Sequence, residues 1–200
     1  MKPDWPRTTE VLQWAGFYRA YGNGPDRDYY FSRGTYCGDA CDLIAQGHEL
    51  SDETVDHLSI PRGKPLTKNG GHERWVDYVQ PYAALINSPS FQNYFEKLLG
   101  CQEECINETE FYVGHLDQRW QLASGREAIV DIKCAMTVIQ AVRFQLASYD
   151  LGLPIAQRRE RWALQLTPGN AQLIKYPDSR DYDRWRLLVR AYHVVKEFSK

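Results

Sequence analysis

Glu127-Ala128-Ile129-Val130-Asp131-Ile132-Lys133-Cys134 is the stretch on which the reading of the fold turns. Its β-branched residues and apolar positions on both parities predict a strand buried on both faces. Residues two apart on a strand point to the same side, so Asp131 and Lys133 face one way and Ile132 packs the other way. A carboxylate and an ammonium inside such a strand are costly to bury unless paired or bound to a metal. Taken alone, D-x-K reads as an ordinary surface ion pair. In this context it marks a candidate active site.

Working outward, Ala123-Ser124-Gly125-Arg126 predicts a hairpin turn ahead of this strand. Phe111–Leu116 and Arg119–Leu122 read as strand pieces, with Asp117 at the end of the first. The return strand then brings Asp131 alongside Asp117. Two neighbouring carboxylates make a hard-oxygen site suited to Mg²⁺ or Mn²⁺. Such a cation offsets their repulsion, activates a water and neutralises charge on a phosphate. Lys133 is placed to position that water or to stabilise developing negative charge. Downstream, Met136–Leu151 has helical spacing, and Gln145 and Tyr149, four apart, share a face. Trp162–Leu166, the turn Pro168-Gly169-Asn170 and Ala171–Tyr176 predict a second hairpin. Asp181–Lys200 closes the chain as an amphipathic helix through Trp185, Leu188, Val189, Tyr192 and Val195.

Upstream of Cys101 the pattern is helical. Short helices are predicted over Thr8–Gly16, Ser32 to about Gly47, Glu73 to about Ile86 (broken by Pro81) and Ser90–Leu99, with a short acidic helix or turn at Ser51–Leu58. Tyr21–Asp28 and the basic stretch Pro61–His72 read as loops. The expectation is a single domain over 1–200, with a mostly helical portion at 1–100 and a catalytic core at 101–200. With 43% hydrophobic and 25% charged residues, a disordered chain or a miniprotein held by disulfides is excluded. The net charge of −2 excludes a bulk polycation, so nucleic-acid contact needs local basic patches. Residues 151–200 supply one such bias, with ten Lys and Arg against five Asp and Glu.

The polar opening MKPDWPRTTEV and the absence of a long apolar run predict a cytoplasmic protein with no membrane partner. The cysteines fall as Cys37/Cys41, Cys101/Cys105 and Cys134. Two C-x-x-x-C pairs on helix faces keep open a zinc-stabilised interaction protein, against the plainer reading of small apolar packing.

In order and spacing, Gly114-His115-Leu116-Asp117, Asp131-Ile132-Lys133 and Gln145-Leu146-Ala147-Ser148-Tyr149 resemble the PD-(D/E)xK nuclease superfamily, in particular its RecB-type and phage exonuclease domains. The opening TTEVLQWAGF, Ser32-Arg33-Gly34-Thr35 with Ala40-Cys41-Asp42-Leu43, and the tail from Trp162 are similar to the family's first helix, R-G-T helix and closing hairpin. The resemblance implies an α/β, restriction-endonuclease-like core with a mixed central sheet flanked by helices. It implies Mg²⁺ or Mn²⁺ on Asp117, Asp131 and the Ile132 carbonyl, with Glu104 as a further candidate ligand. Lys133 takes the place of the catalytic lysine, and Gln145 and Tyr149 hold DNA or the geometry of the site. Arg33, Arg158 and Arg159 are candidate DNA contacts. No cysteine follows Cys134, so no iron–sulfur cluster is expected. Two departures stand out: Leu116 precedes Asp117 in place of Pro, and Gly38 (or Cys37) stands where the family often has a metal-ligating His.

The leading expectation is therefore a metal-dependent DNA exonuclease acting at linear ends, with a recombination or replication partner protein or a homo-oligomer as its setting. The alternative is an inactive DNA-binding or adaptor module on the same fold.

Overall fold

In the computed structural model, EAIVDIKC forms a strand over the predicted residues, Glu127–Cys134, and lies at the centre of the sheet. The structure describes residues 4–17, 25–49, 74–135, 140–154 and 158–199. The expected helix or turn Ser51–Leu58 and loop Pro61–His72 lie outside them. Among the described residues the helices are α1 (Thr8–Trp14), α2 (Pro25–Ala45), α3 (Val76–Ile86) and the single turn α4 (Pro89–Gln92). Strands β1 (Phe95–Asn107), β2 (Tyr112–Leu122) and β3 (Glu127–Cys134) follow. Helix α5 (Ala141–Gly152), strands β4 (Glu160–Thr167) and β5 (Asn170–Lys175), and α6 (Arg180–Phe198) complete the order.

The sheet runs β1-β2-β3-β4-β5. All neighbours are antiparallel except β3 and β4, which are parallel and connected through α5. The alternation in β3 feeds two layers. Ala128, Val130 and Ile132 pack beneath α2, α3 and α4 with Trp120, Leu164 and Leu166. Ile129 packs beneath α5 with Leu116, Leu146 and Ala163. Each buried Val or Ile contributes roughly 1.5–3 kcal/mol. Helices α1, α5 and α6 form a third apolar cluster around Tyr112 and Trp185. The result is a mixed sheet flanked by helices on both faces, the arrangement of a restriction-endonuclease-like core. Among the described residues no helix is long and apolar enough to cross a membrane.

The structure corrects several expectations. Ser90–Leu99 is not a helix: α4 stops at Gln92 and β1 starts at Phe95, so a strand spans the expected division at residue 100. FEKLLGCQEECIN has a lone β-branched residue, Ile106, and is held extended by its ladder to β2. Helix α2 begins at Pro25, inside the expected loop. β2 is one continuous strand, with Asp117 in its middle. Pro81 does not break α3. A proline removes the bond to the carbonyl four residues back, and here that carbonyl, on Asp77, accepts the Gly169 N–H at 2.9 Å. The proline thus ties α3 to the β4–β5 turn.

Helix α5 approaches β1 so closely that a Cβ at Gly152 falls 2.9 Å from the Cys105 carbonyl carbon. Gly152→Ala forces the helix off the sheet, and urea denaturation is expected to register a loss of about 1–3 kcal/mol.

Candidate active site

The β2–β3 ladder ends at Gln118 opposite Val130. Just beyond it, the Ile132 N–H donates to Asp117 Oδ2 at 2.6 Å. β2 also changes layer here. Leu116 lies under α5, whereas Gln118 bonds to groups on α2 and α3. A side chain substituting for the ladder brings the Asp117 carboxylate beside Asp131. Lys133 Nζ lies 2.7 Å from Asp131 Oδ2. That oxygen, on a side chain only 1% exposed, makes no contact with hydrogen-bond geometry.

Two carboxylates therefore face one ammonium, with Asp131 buried and Asp117 and Lys133 half-buried. Burial first, and then the charge of Asp131, push the Asp117 carboxyl up to about 7, against the pull of Lys133 and the Ile132 N–H. Burial raises the Asp131 carboxyl too, opposed by Lys133. A third carboxylate, Asp42 on α2, adds to the negative field on Asp117. Asp42 is buried and accepts from Gln102 Nε2 at 2.7 Å and Gln118 Nε2 at 2.9 Å. The Gln118 carbonyl oxygen accepts from Tyr82 Oη and Trp120 Nε1, both at 3.1 Å. These two donors fix the amide, so its NH₂ end faces Asp42. Asp42, Gln102 and Gln118 are site residues absent from the sequence-based set. The acidic position within ACDL was the available signal for Asp42, and Gln118 adjoins Asp117.

Gln145 and Tyr149 come together as their spacing predicts, with Gln145 Nε2 donating to Tyr149 Oη at 2.5 Å. Both are buried. The Tyr149 ring lies over Gly114, where a Cβ would sit 2.6 Å from Cε1. The glycine of GHLD thus makes room for the tyrosine of QLASY. Ser148 Oγ bonds the Gln145 carbonyl and Thr8 Oγ1, which draws α1 into the same brace.

Other expected site residues lie elsewhere. Glu104, on β1, has Oε1 3.9 Å from His115 Nε2. Among the described residues no group of three or more His, Cys, Asp or Glu side chains is arranged to hold a metal ion. Glu104 therefore does not complete a cluster with Asp117 and Asp131. The zinc reading of the cysteines fails on the same count. Cys101 and Cys105 are on a strand, and Cys105 lies in the layer under α5, across the sheet from Cys37 and Cys41.

Two of the three candidate DNA-binding arginines point inward. Arg33 is buried between the rings of Tyr30 and Tyr78, at 5.0 and 4.7 Å. Its Nη1 donates to Tyr78 Oη at 3.0 Å and its Nη2 to the Cys134 carbonyl at 2.6 Å. It anchors the end of β3 directly after Lys133. Arg159 is buried against Glu127 at 2.6 Å, Asp150 at 3.2 Å and the Pro154 carbonyl at 2.9 Å. Arg158 is exposed and stacks on Tyr182 at 4.6 Å.

No protein-family model matches the chain, and a search of curated proteins by sequence finds no match. Among solved structures, a protein described as a candidate exonuclease from Eubacterium rectale is similar over 90% of this chain and 68% of its own, at 12% identity and a TM-score of 0.48. The protein SSO0001 is similar over 94% of this chain and 84% of its own, at 12% identity and a TM-score of 0.41. Likeness at this level carries no argument about function, which rests on the site.

Two outcomes check this account of the site. Arg159→Ala removes the ion-pair partner of the buried Asp150 carboxylate and leaves it the Tyr182 hydroxyl, with an expected loss of about 1–3 kcal/mol in denaturant titration. A carboxyl raised on folding disfavours the folded state wherever it must ionise. Without added divalent ions, wild-type Tm therefore falls as pH climbs from the ordinary carboxylate range through about 7. Asp117→Asn keeps an oxygen for the Ile132 N–H, flattens that fall and melts higher than wild type at pH 8.

Proposed function

We propose that the chain is a metal-dependent deoxyribonuclease that hydrolyses phosphodiester bonds at the ends of linear DNA. The observation that carries this reading is the adjacent carboxylates of half-buried Asp117 and buried Asp131, with the Lys133 ammonium 2.7 Å from Asp131. Burial raises both carboxyls and the charge of Asp131 raises Asp117 further, so with both ionised the pair favours added positive charge, supplied by a proton or by a cation. The donor chemistry fits Mg²⁺ or Mn²⁺, with Asp117, Asp131 and the Ile132 carbonyl as its holders and water filling the remaining positions. When bound, that cation supplies a water of lowered pKa as the nucleophile and offsets charge on the phosphate.

The chain's own groups do the rest. Asp117 and Asp131 orient the reacting centre from neighbouring strands. Lys133 presents its ammonium where negative charge builds on the attacked phosphate and orients the incoming water. Arg33 keeps the end of β3 in place through the Cys134 carbonyl. Gln145 and Tyr149 hold α5 against β2, so that Asp117 keeps its place opposite Ile132. Arg158, exposed over Tyr182, and the basic stretch Pro61–Lys68 serve as phosphate contacts. In this reading the protein works in the cytoplasm alongside recombination or replication proteins.

A second reading, a DNA-binding or adaptor module without catalysis, is favoured by Gly38. At this helix position a Cβ would meet nothing within 4 Å, and the chain carries no imidazole there.

The deciding assay is digestion of 5′- and 3′-labelled linear, circular and single-stranded DNA with Mg²⁺ or Mn²⁺. Wild type is expected to degrade linear DNA. Lys133→Ala, with unchanged fold by circular dichroism, is expected to lose a factor of about 10²–10⁴ in rate. Wild type inert with both metals but still binding DNA establishes the second reading. Equal digestion by the variant overturns the role of Lys133.

A further inference from the structure

Helix α6 buries one face, through Asp181, Tyr182, Trp185 and Val189. On the opposite face Leu187, Ala191, Val194 and Phe198 follow one another at spacings of four, three and four. All four are exposed, Leu187 at 68%, Val194 at 52% and Phe198 at 85%. That spacing is the seam of a two-helix coiled coil. Large apolar side chains in a row facing water mark an interaction surface, unlike single scattered ones.

The flanks identify the occupant. Leu188, half-buried against the core of its own chain, and the exposed Val195, seven residues apart, border the seam on one side. Arg190 and Glu197, also seven apart, border it on the other. An antiparallel copy of the same helix, related by a two-fold axis, sets Leu187 on Phe198 of the partner subunit and Ala191 on Val194 of the partner subunit. The same operation sets Arg190 beside Glu197 of the partner subunit, and Leu188 beside Val195 of the partner subunit. Every layer and both flanks are then complementary, and the interface is isologous as a two-fold requires. A parallel pair fails, because it sets Arg190 against the partner's apolar Val195.

Arg190 can make this contact without surrendering its partner within the chain. It grips Glu110 side-on through Nε and Nη2 and is 63% exposed, which leaves the Nη1 N–H groups on the open side.

We propose that this face of α6 is a homodimer interface, formed with a second copy of the chain in antiparallel orientation. One helix pair buries less than the ~1,200–2,000 Å² of a standard stable interface. The dimer is therefore expected to be weak, with monomer and dimer both present across the concentrations of a dilution series. The proposal is independent of the nuclease reading, because the seam lies on the side of α6 away from the sheet.

Sedimentation velocity over a concentration series tests it. Wild type is expected to shift from 23.2 kDa to twice that mass. Leu187→Glu/Val194→Glu alters exposed positions, so it keeps its circular dichroism spectrum and raises Kd by about tenfold or more. Orientation is read by mild oxidation of cysteine variants. Leu187→Cys/Phe198→Cys is expected to form a covalent dimer. Leu187→Cys alone is not, because the two copies of residue 187 are about 16 Å apart along the antiparallel axis. Wild type at a single chain's mass throughout overturns the proposal and leaves the seam for a helix of another protein. A dimer that persists in the glutamate variant, or a covalent dimer of Leu187→Cys alone, overturns it as well.

Discussion

A carboxylate standing in for a strand partner is the constraint from which the site follows. Asp117 takes the Ile132 N–H at 2.6 Å at the point where the β2–β3 ladder stops. The bond satisfies a backbone donor in the centre of the sheet, which is required there. In doing so it brings a negative charge against Asp131, where burial penalises ionisation. Lys133 compensates one charge only. The fold thus concentrates negative charge at this point, which raises both carboxyls.

The surroundings hold that arrangement rigid instead of relieving it. Arg33, its guanidinium held between two tyrosine rings, donates to the Cys134 carbonyl directly after Lys133. Asp42 adds a third negative group, and its two amide donors stabilise it without contributing charge. On the other face Arg159 joins Glu127 at the start of β3 to Asp150 on α5, and Tyr182 Oη donates to that same Asp150 at 2.6 Å. The ion pairs fix the parallel β3–α5–β4 unit, which in turn fixes the height of Asp131 relative to Asp117. Much of the positive charge in the last fifty residues serves this internal purpose, so composition overstates the basic surface.

What was legible in the sequence follows period and chemistry. EAIVDIKC announced its strand, its burial and the shared side of Asp131 and Lys133, because a period of two leaves no other arrangement. Gln145 and Tyr149 were legible as a pair from their i, i+4 spacing. β1 was not, since Leu98, Leu99, Glu103 and Glu104 suit a helix, and pairing with β2 decides otherwise. The arginines were misread for a related reason. Arg33 meets a carbonyl 101 positions away, and no local pattern distinguishes an arginine bound for a buried partner from one bound for a phosphate. The sequence places Asp117 beside Asp131 but suggests a strand end there, whereas the ladder to β1 on both sides of Asp117 keeps β2 continuous.

Direct titration of Mn²⁺ into the purified protein, followed by electron paramagnetic resonance, tests the central claim. Wild type is expected to show saturable binding at one class of site. Loss of that binding is expected in Asp117→Asn and Asp131→Asn, both still folded. No saturable binding by wild type, or undiminished binding by the two variants, contradicts that claim.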